Sequence, residues 1–168
     1  MKITLAFGLA IWVGLVACQG QSNTKKTNTM DAKTAASLQT VHKTNAEWAK
    51  QLAPEEYEVM FEQGTERAFT GKWLNNKKQG TYLCNACKQA VFASGTKFES
   101  GTGWPSFYDK LGTHVGETTD NAYGMARTEV HCTRCSAHLG HVFNDGPKPT
   151  GLRYCINSVS LDFKPEEK

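Results

Sequence analysis

Apolar and polar positions change rhythm several times along the chain. From Ile3 to Ala17 the run is almost unbrokenly apolar, and from Gln19 to Thr40 it is polar and rich in Ser, Thr, Asn and Lys. The second stretch has too little apolar surface to order itself and reads as a flexible tether. A short amphipathic segment, AEWAKQL, follows Asn45, which is a candidate helix cap. Pro54 suits the first turn of a second helix, with Glu55 and Glu56 beside it and Gly64 past its end. Beyond Lys72 the period shortens. TYLC, AVFAS, KFES, THVGET, YGMARTEVHC, HVF and RYCINSVSLDF recur between clusters of Gly, Asn, Asp and Pro. That spacing predicts a mainly β domain over residues 45–163, with small helices at its N-terminal edge and a polar tail at 164–168.

The chain has 168 residues and a net charge of +3, enough for one ordinary domain with a single core. The charges are scattered, without a basic stripe interleaved with aromatics, which gives nucleic-acid binding no support. No apolar run reaches the length of a membrane-spanning helix. Lys2 before the apolar run and small residues at its end instead make residues 1–17 an export signal. Leu15-Val16-Ala17-Cys18 resembles the lipobox of bacterial lipoproteins. The resemblance implies cleavage before Cys18, lipid attachment to it, and a domain held to a membrane of the bacterial envelope through a tether at 18–44.

Four of the six cysteines form two C-x-x-C pairs, Cys84 with Cys87 and Cys132 with Cys135. The surrounding stretches, YLCNACKQAVF and VHCTRCSAHLGHVF, resemble each other as strand, CxxC turn, strand. Two such turns complete a tetrahedral sulfur set that suits one structural zinc ion, with no position open to water. Disulfides compete with this reading in an exported protein. A redox-active CxxC competes less well, because such pairs sit between a strand and a helix. His138 has ligand-like spacing from Cys135, but four sulfurs are already present.

Cys155 stands apart, inside GLRYCINSVSL. Strand alternation projects Arg153, Cys155 and Asn157 to one side and Tyr154 and Ile156 to the other. A guanidinium favours the thiolate, and an amide can bind a polar ligand atom. His138 and His141 in HLGH are candidate proton donors, and the glycine-flanked turn GTGWPSF presents Trp104. Convergence of these groups on one thiol is the reading that explains the lone cysteine.

Across GTERAFTG, YLCNACKQAVF, ESGTGWPSF and RTEVHCTRCSAHLGHVFNDGPKPTGLRYCINSVSL, the chain resembles the B-type peptide-methionine sulfoxide reductases. The similarity spans roughly residues 47–163. It implies two antiparallel sheets forming a barrel-like core, with a structural zinc held by Cys84, Cys87, Cys132 and Cys135. It also implies reduction of the R epimer of methionine sulfoxide in proteins. Cys155 matches the nucleophile, and Trp104, with Phe143 near it, matches the substrate-binding wall. His138, His141 and Asn157 match the groups around the sulfoxide oxygen, and Arg153 the neighbour of the nucleophile. Asp145, in HVF-x-DGP, is expected to orient a histidine.

Two positions depart from the family pattern. Thr102 lies where many members carry a resolving cysteine, so a thioredoxin-like protein or a small thiol is expected to complete the cycle. Ala68 stands where proline is common and loosens a turn. The rival readings are a lipid-anchored zinc module with an inert Cys155, and a thiol-disulfide oxidoreductase working through a CxxC.

Overall fold

The structure, a computed structural model, describes residues 39–121, 124 and 126–167. The expected export signal, Cys18 and most of the expected tether lie outside the described residues. At the tether's end, the Val41 amide donates to the Arg134 carbonyl (2.7 Å), and Arg134 Nε donates to the Gln39 carbonyl (3.1 Å). The described fold therefore takes in residues before Asn45.

Helix α1 spans Asn45–Ala49 and α2 spans Pro54–Phe61. Thr44, not Asn45, caps α1. Its hydroxyl accepts from the Glu47 amide while the Glu47 carboxylate accepts from the Thr44 amide, a reciprocal pairing that satisfies two otherwise orphaned donors. Pro54 opens α2 as expected. The helix ends where Gln63 turns left-handed (φ 58°) and the Gly64 amide reaches back to the Glu58 carbonyl. Both helices turn their apolar residues inward: Trp48, Val59 and Met60 are buried, and Trp48 stacks on Phe61 at 5.0 Å.

The rest is two antiparallel sheets. Strands β1 (Gly80–Cys84), β2 (Ala90–Ala93) and β9 (Leu161–Pro165) form the smaller, in the order β2-β1-β9. The larger contains β3 (Lys97–Phe98), β4 (Ser106–Phe107), β5 (Val115–Asp120), β6 (Arg127–Cys132), β7 (His138–Phe143) and β8 (Arg153–Ile156), ordered β3-β4-β8-β7-β6-β5. The two antiparallel sheets follow the expectation. The barrel-like closure does not appear among the strand pairings of the described residues, since each sheet has two open edges. Strand β9 carries Lys164 and Pro165 into pairing with Thr81 and Gly80, so the exposed tail begins inside a strand.

Aromatic rings bridge the sheets. Tyr82 and Phe92 from the smaller meet Phe107 and Tyr154 from the larger, with Phe92 stacked on Phe107 at 4.5 Å and Tyr82 edge-on to it at 5.0 Å. All four are buried, and each contributes roughly 1.5–3 kcal/mol by leaving water. In β8 this core takes Tyr154 and Ile156, leaving Cys155 half-buried on the opposite side. Gly140 pairs with Ile156 on the neighbouring strand, and a Cβ at Gly140 would collide with the carbonyl oxygen of Cys155. Overpacking here forces β7 and β8 apart. Gly140→Ala should destabilise the fold by about 2–3 kcal/mol in a thermal melt. Gly95→Ala, whose added methyl meets nothing within 4 Å, should melt like the parent protein. Matching melts for all three proteins would contradict this packing.

Candidate active site and metal centre

Cys155 is anchored by its position in the larger sheet. Strand β4 lies on one side, with Ser106 opposite Cys155, and β7 on the other, with His141 opposite. The thiol opens into a cavity of about 150 Å³ lined by Thr65, Trp104, Arg127, Gly140, His141, Phe143, Cys155 and Asn157. Thiol, imidazole, indole and amide thus line one cavity, a convergence that sequence spacing allowed but could not show. His138 lines an adjoining polar cavity of about 460 Å³ that shares Thr65, Arg127 and His141 with the first.

Trp104 is held by Glu66, which the sequence offered only as one letter of GTERAFTG. The Trp104 indole N–H donates to the Glu66 carbonyl (3.2 Å), and the Glu66 amide donates to Asn157 Oδ1 (3.2 Å). The buried Glu66 carboxylate accepts from the amides of Ser158 (2.6 Å) and Val159 (2.9 Å). Burial pushes its pKa up, and those two amides partly offset the rise. The two glycines before Trp104 take left-handed conformations, φ 75° at Gly101 and 96° at Gly103, which a residue with Cβ resists. Asn157 faces the cavity with its amide largely committed. Oδ1 accepts from Glu66, and Nδ2 donates to the Leu139 carbonyl at 3.2 Å, so its main work is to brace the wall.

The charges differ from the sequence expectation. Asp145 does not orient a histidine. Its carboxylate grips Arg153 at both oxygens, each bond 2.8 Å long, and Arg153 lies over the Phe143 ring at 4.5 Å. Its positive charge is therefore shared with Asp145. Burial pushes the Cys155 thiol up, against the opposing effects of the Thr102 hydroxyl and then of Arg153. Burial thus works against the thiolate that Arg153 favours.

The histidines are set by two carboxylates that the sequence reading did not single out. His141 Nε2 bonds to Asp120 Oδ2 at 2.9 Å, and Arg127 Nη2 donates to the same oxygen at 2.7 Å. His138 Nδ1 bonds to Glu129 Oε1 at 2.8 Å, while its buried Nε2 has no protein partner. Desolvation lowers the pKa of His138 despite Glu129. The two imidazoles meet edge-on at 5.3 Å.

The paired cysteines form a second centre. In both turns the residue after the second cysteine is left-handed, Lys88 (φ 60°) and Ser136 (φ 59°), and its amide donates to the carbonyl of the first cysteine. The resemblance between the two stretches is thus a repeated backbone knuckle. It gathers Cys84, Cys87, Cys132 and Cys135 with all four sulfurs within 4.8 Å of one another. The Cys84–Cys135 and Cys87–Cys132 contacts are 3.7 and 3.6 Å. A disulfide needs about 2.05 Å, and these cysteines are free. Sulfurs around a tetrahedral ion at about 2.3 Å stand about 3.8 Å apart, so the set fits a metal ion. Hydrogen bonding to the other sulfurs, Cys132 first, and then burial push the Cys84 thiol far up; a cation would relieve that crowding.

A model of the SelR domain matches residues 52–165. The chain is 57% identical over 126 residues to a protein of Thiobacillus denitrificans named peptide methionine sulfoxide reductase MsrB, covering 74% of this chain and 96% of that protein. Proteins of the same name from Methanosarcina barkeri (58% over 129 residues, 76% and 91% covered) and Leptospira interrogans (54% over 127 residues, 75% and 97%) match similarly. The match takes in β1 to β9, both CxxC knuckles and every residue of the Cys155 cavity, and on that ground the chain belongs to the SelR-domain family.

Proposed function

We propose that this protein reduces the R epimer of methionine sulfoxide in proteins, with Cys155 as the nucleophile. The observation that carries the reading is the single cavity walled by Cys155, Trp104 and His141. At about 150 Å³ it is smaller than the roughly 300–1,000 Å³ of pockets for whole small molecules. It suits the end of a side chain presented by a larger substrate. Trp104 and Phe143 form the apolar wall for the methyl group, while His141 and Arg127 form the polar wall for the oxygen. Only one epimer satisfies both walls with its sulfur towards Cys155.

Cys155 Sγ attacks the sulfoxide sulfur as the oxygen is protonated, and His141 supplies that proton. Asp120 holds one ring nitrogen, and the protonated ring keeps a second N–H for the substrate oxygen. Arg127 places positive charge beside the same oxygen. The oxygen passes to Cys155, giving methionine and a sulfenic acid: the substrate sulfur gains two electrons and Cys155 loses two. Of the remaining described cysteines, four form the metal cluster, and Thr102 offers a hydroxyl where a resolving thiol would serve. An external thiol therefore attacks the sulfenic acid, releasing water, and a second thiol frees Cys155.

Zinc is the ion best suited to the four-sulfur set. Cys84, Cys87, Cys132 and Cys135 would hold it, and with four thiolates around it the ion would supply cross-linking between the end of β1 and the end of β6. Cys132 donates its amide to the Ala137 carbonyl, just before β7, the strand that places His141 opposite Cys155. The Cys155→Ser protein should keep one zinc per chain and lose at least a thousandfold in rate, because a serine hydroxyl is a far weaker nucleophile. The parent protein should reduce the R but not the S epimer of a methionine sulfoxide peptide. Turnover of neither epimer by the parent, or undiminished turnover by Cys155→Ser, would contradict the assignment.

We also propose that residues 1–17 direct export and that Cys18 carries the lipid, placing the domain at an envelope membrane on the tether of residues 18–44. The lipobox-like Leu15-Val16-Ala17-Cys18 supports this. Mass spectrometry of the membrane fraction should find the chain beginning at an acylated Cys18, and Cys18→Ala should release the protein from membranes. An unmodified Cys18 in a membrane-free protein would exclude the anchor.

A further inference from the structure

The proposed reaction uses a thiol, an imidazole, a guanidinium and an indole. It leaves unexplained three hydroxyls packed beneath the nucleophile. Thr102 Oγ1 lies 3.9 Å from Cys155 Sγ and 2.8 Å from Ser100 Oγ. Ser100 Oγ lies 2.7 Å from Ser106 Oγ, and Ser106 Oγ donates to the Trp104 carbonyl at 3.1 Å. Ser106 is itself the cross-strand partner of Cys155. The chain of hydroxyls therefore starts at the sulfur, runs through the Trp104 loop and returns to the strand beside it. Ser106 is fully buried, and Ser100 and Thr102 are partly so.

Each hydroxyl has one proton to give, and this fixes the order of donation. With Cys155 a thiol, Ser106 gives its proton to the Trp104 carbonyl, so the Ser100–Ser106 contact requires Ser100 as donor. Thr102 then donates to Ser100, and the S–H donates to Thr102. A thiolate has no proton to give and needs a donor. Thr102 meets that need by turning its O–H onto the sulfur. Ser100 then turns onto Thr102, Ser106 turns onto Ser100, and the Trp104 carbonyl loses its hydroxyl donor. Three bond rotations reverse the chain, and no proton leaves it.

We propose that Thr102, Ser100 and Ser106 form a reversible hydroxyl chain that accepts from the Cys155 thiol and donates to its thiolate, so that ionisation of the nucleophile is linked to the loop carrying Trp104. Thr102 touches the reacting sulfur; Ser100 and Ser106 are positioning residues that act through it. The charged and titratable groups around the sulfur are Arg153 on its own strand, Asp145 paired to that arginine, His141 on β7, and Arg127 with Asp120 beyond it. Against burial of the thiol stand the Thr102 hydroxyl and then Arg153, which is itself paired with Asp145. The inference rests on Cys155 being the nucleophile of the proposed reaction, but its test does not require turnover.

The test is the pH dependence of Cys155 alkylation by iodoacetamide in the metal-loaded full chain, read at that residue by mass spectrometry. Thr102→Val keeps the shape and removes the donor. A hydrogen bond to a charged group stabilises by about 1.5–3 kcal/mol, so the midpoint should rise by about one pH unit or more. Thr102→Ser should restore the parent midpoint, and Ser100→Ala should shift it upward by less than Thr102→Val does. A packing role alone predicts that Thr102→Val titrates like the parent, and that result would overturn the proposal. So would a shift in Thr102→Val with none in Ser100→Ala, which reduces the chain to one contact. These shifts in a protein without reductase turnover would uphold the chain and contradict the proposed reaction instead.

Discussion

The register of β8 is the constraint on which the site depends. Strand side chains alternate, so a slip of one residue would turn Cys155 into the aromatic core and bring Tyr154 or Ile156 into the cavity. Two kinds of contact hold the register. On the core side, Tyr154 packs near Phe92 at 5.8 Å and Ile156 is fully buried. On the strand edges, β4 and β7 fix Ser106 and His141 opposite the cysteine. Gly140 leaves the gap that lets β7 approach the Cys155 carbonyl. The two CxxC knuckles bring together the ends of β1 and β6, one strand from each sheet.

Burial acts on the nucleophile in two opposed ways. It excludes water from the sulfur and from the future position of the oxygen, which strengthens each polar contact there. It also favours the thiol over the thiolate, through desolvation that Thr102 and Arg153 only partly offset. A protein that must not alkylate or oxidise its cysteine between turnovers gains from that balance. Glu66 keeps the geometry fixed meanwhile, since one residue joins the indole, the Asn157 amide and the turn after β8.

Much of this was legible in the sequence, and what was not has a physical cause. Short strands between turn residues announced a mainly β domain, and alternation alone placed Cys155 opposite Tyr154 and Ile156. The two CxxC stretches announced a duplicated knuckle. The cap of α1 falls one residue before the expected one, because Thr44 and Asn45 are both good caps and only the Glu47 reciprocal bond decides. The carboxylates were harder. Asp120 and Glu129 sit among charged strand residues that resemble any solvent-facing side, and their partners emerge only when β5, β6 and β7 pair in register. Arg153 does favour the Cys155 thiolate as its place on the strand suggested, but its pairing with Asp145 was hidden, because that carboxylate comes from a loop whose path the sequence did not reveal.

The most direct measurement follows the oxygen atom itself. One equivalent of R-methionine sulfoxide peptide carrying heavy oxygen is mixed with reduced protein in the absence of any other thiol, and the reaction is quenched in acid. The account predicts one heavy oxygen on the peptide containing Cys155, with the substrate returned as the thioether. Heavy oxygen found on a cysteine of the metal cluster, or released to water with Cys155 unchanged, would contradict attack by this sulfur.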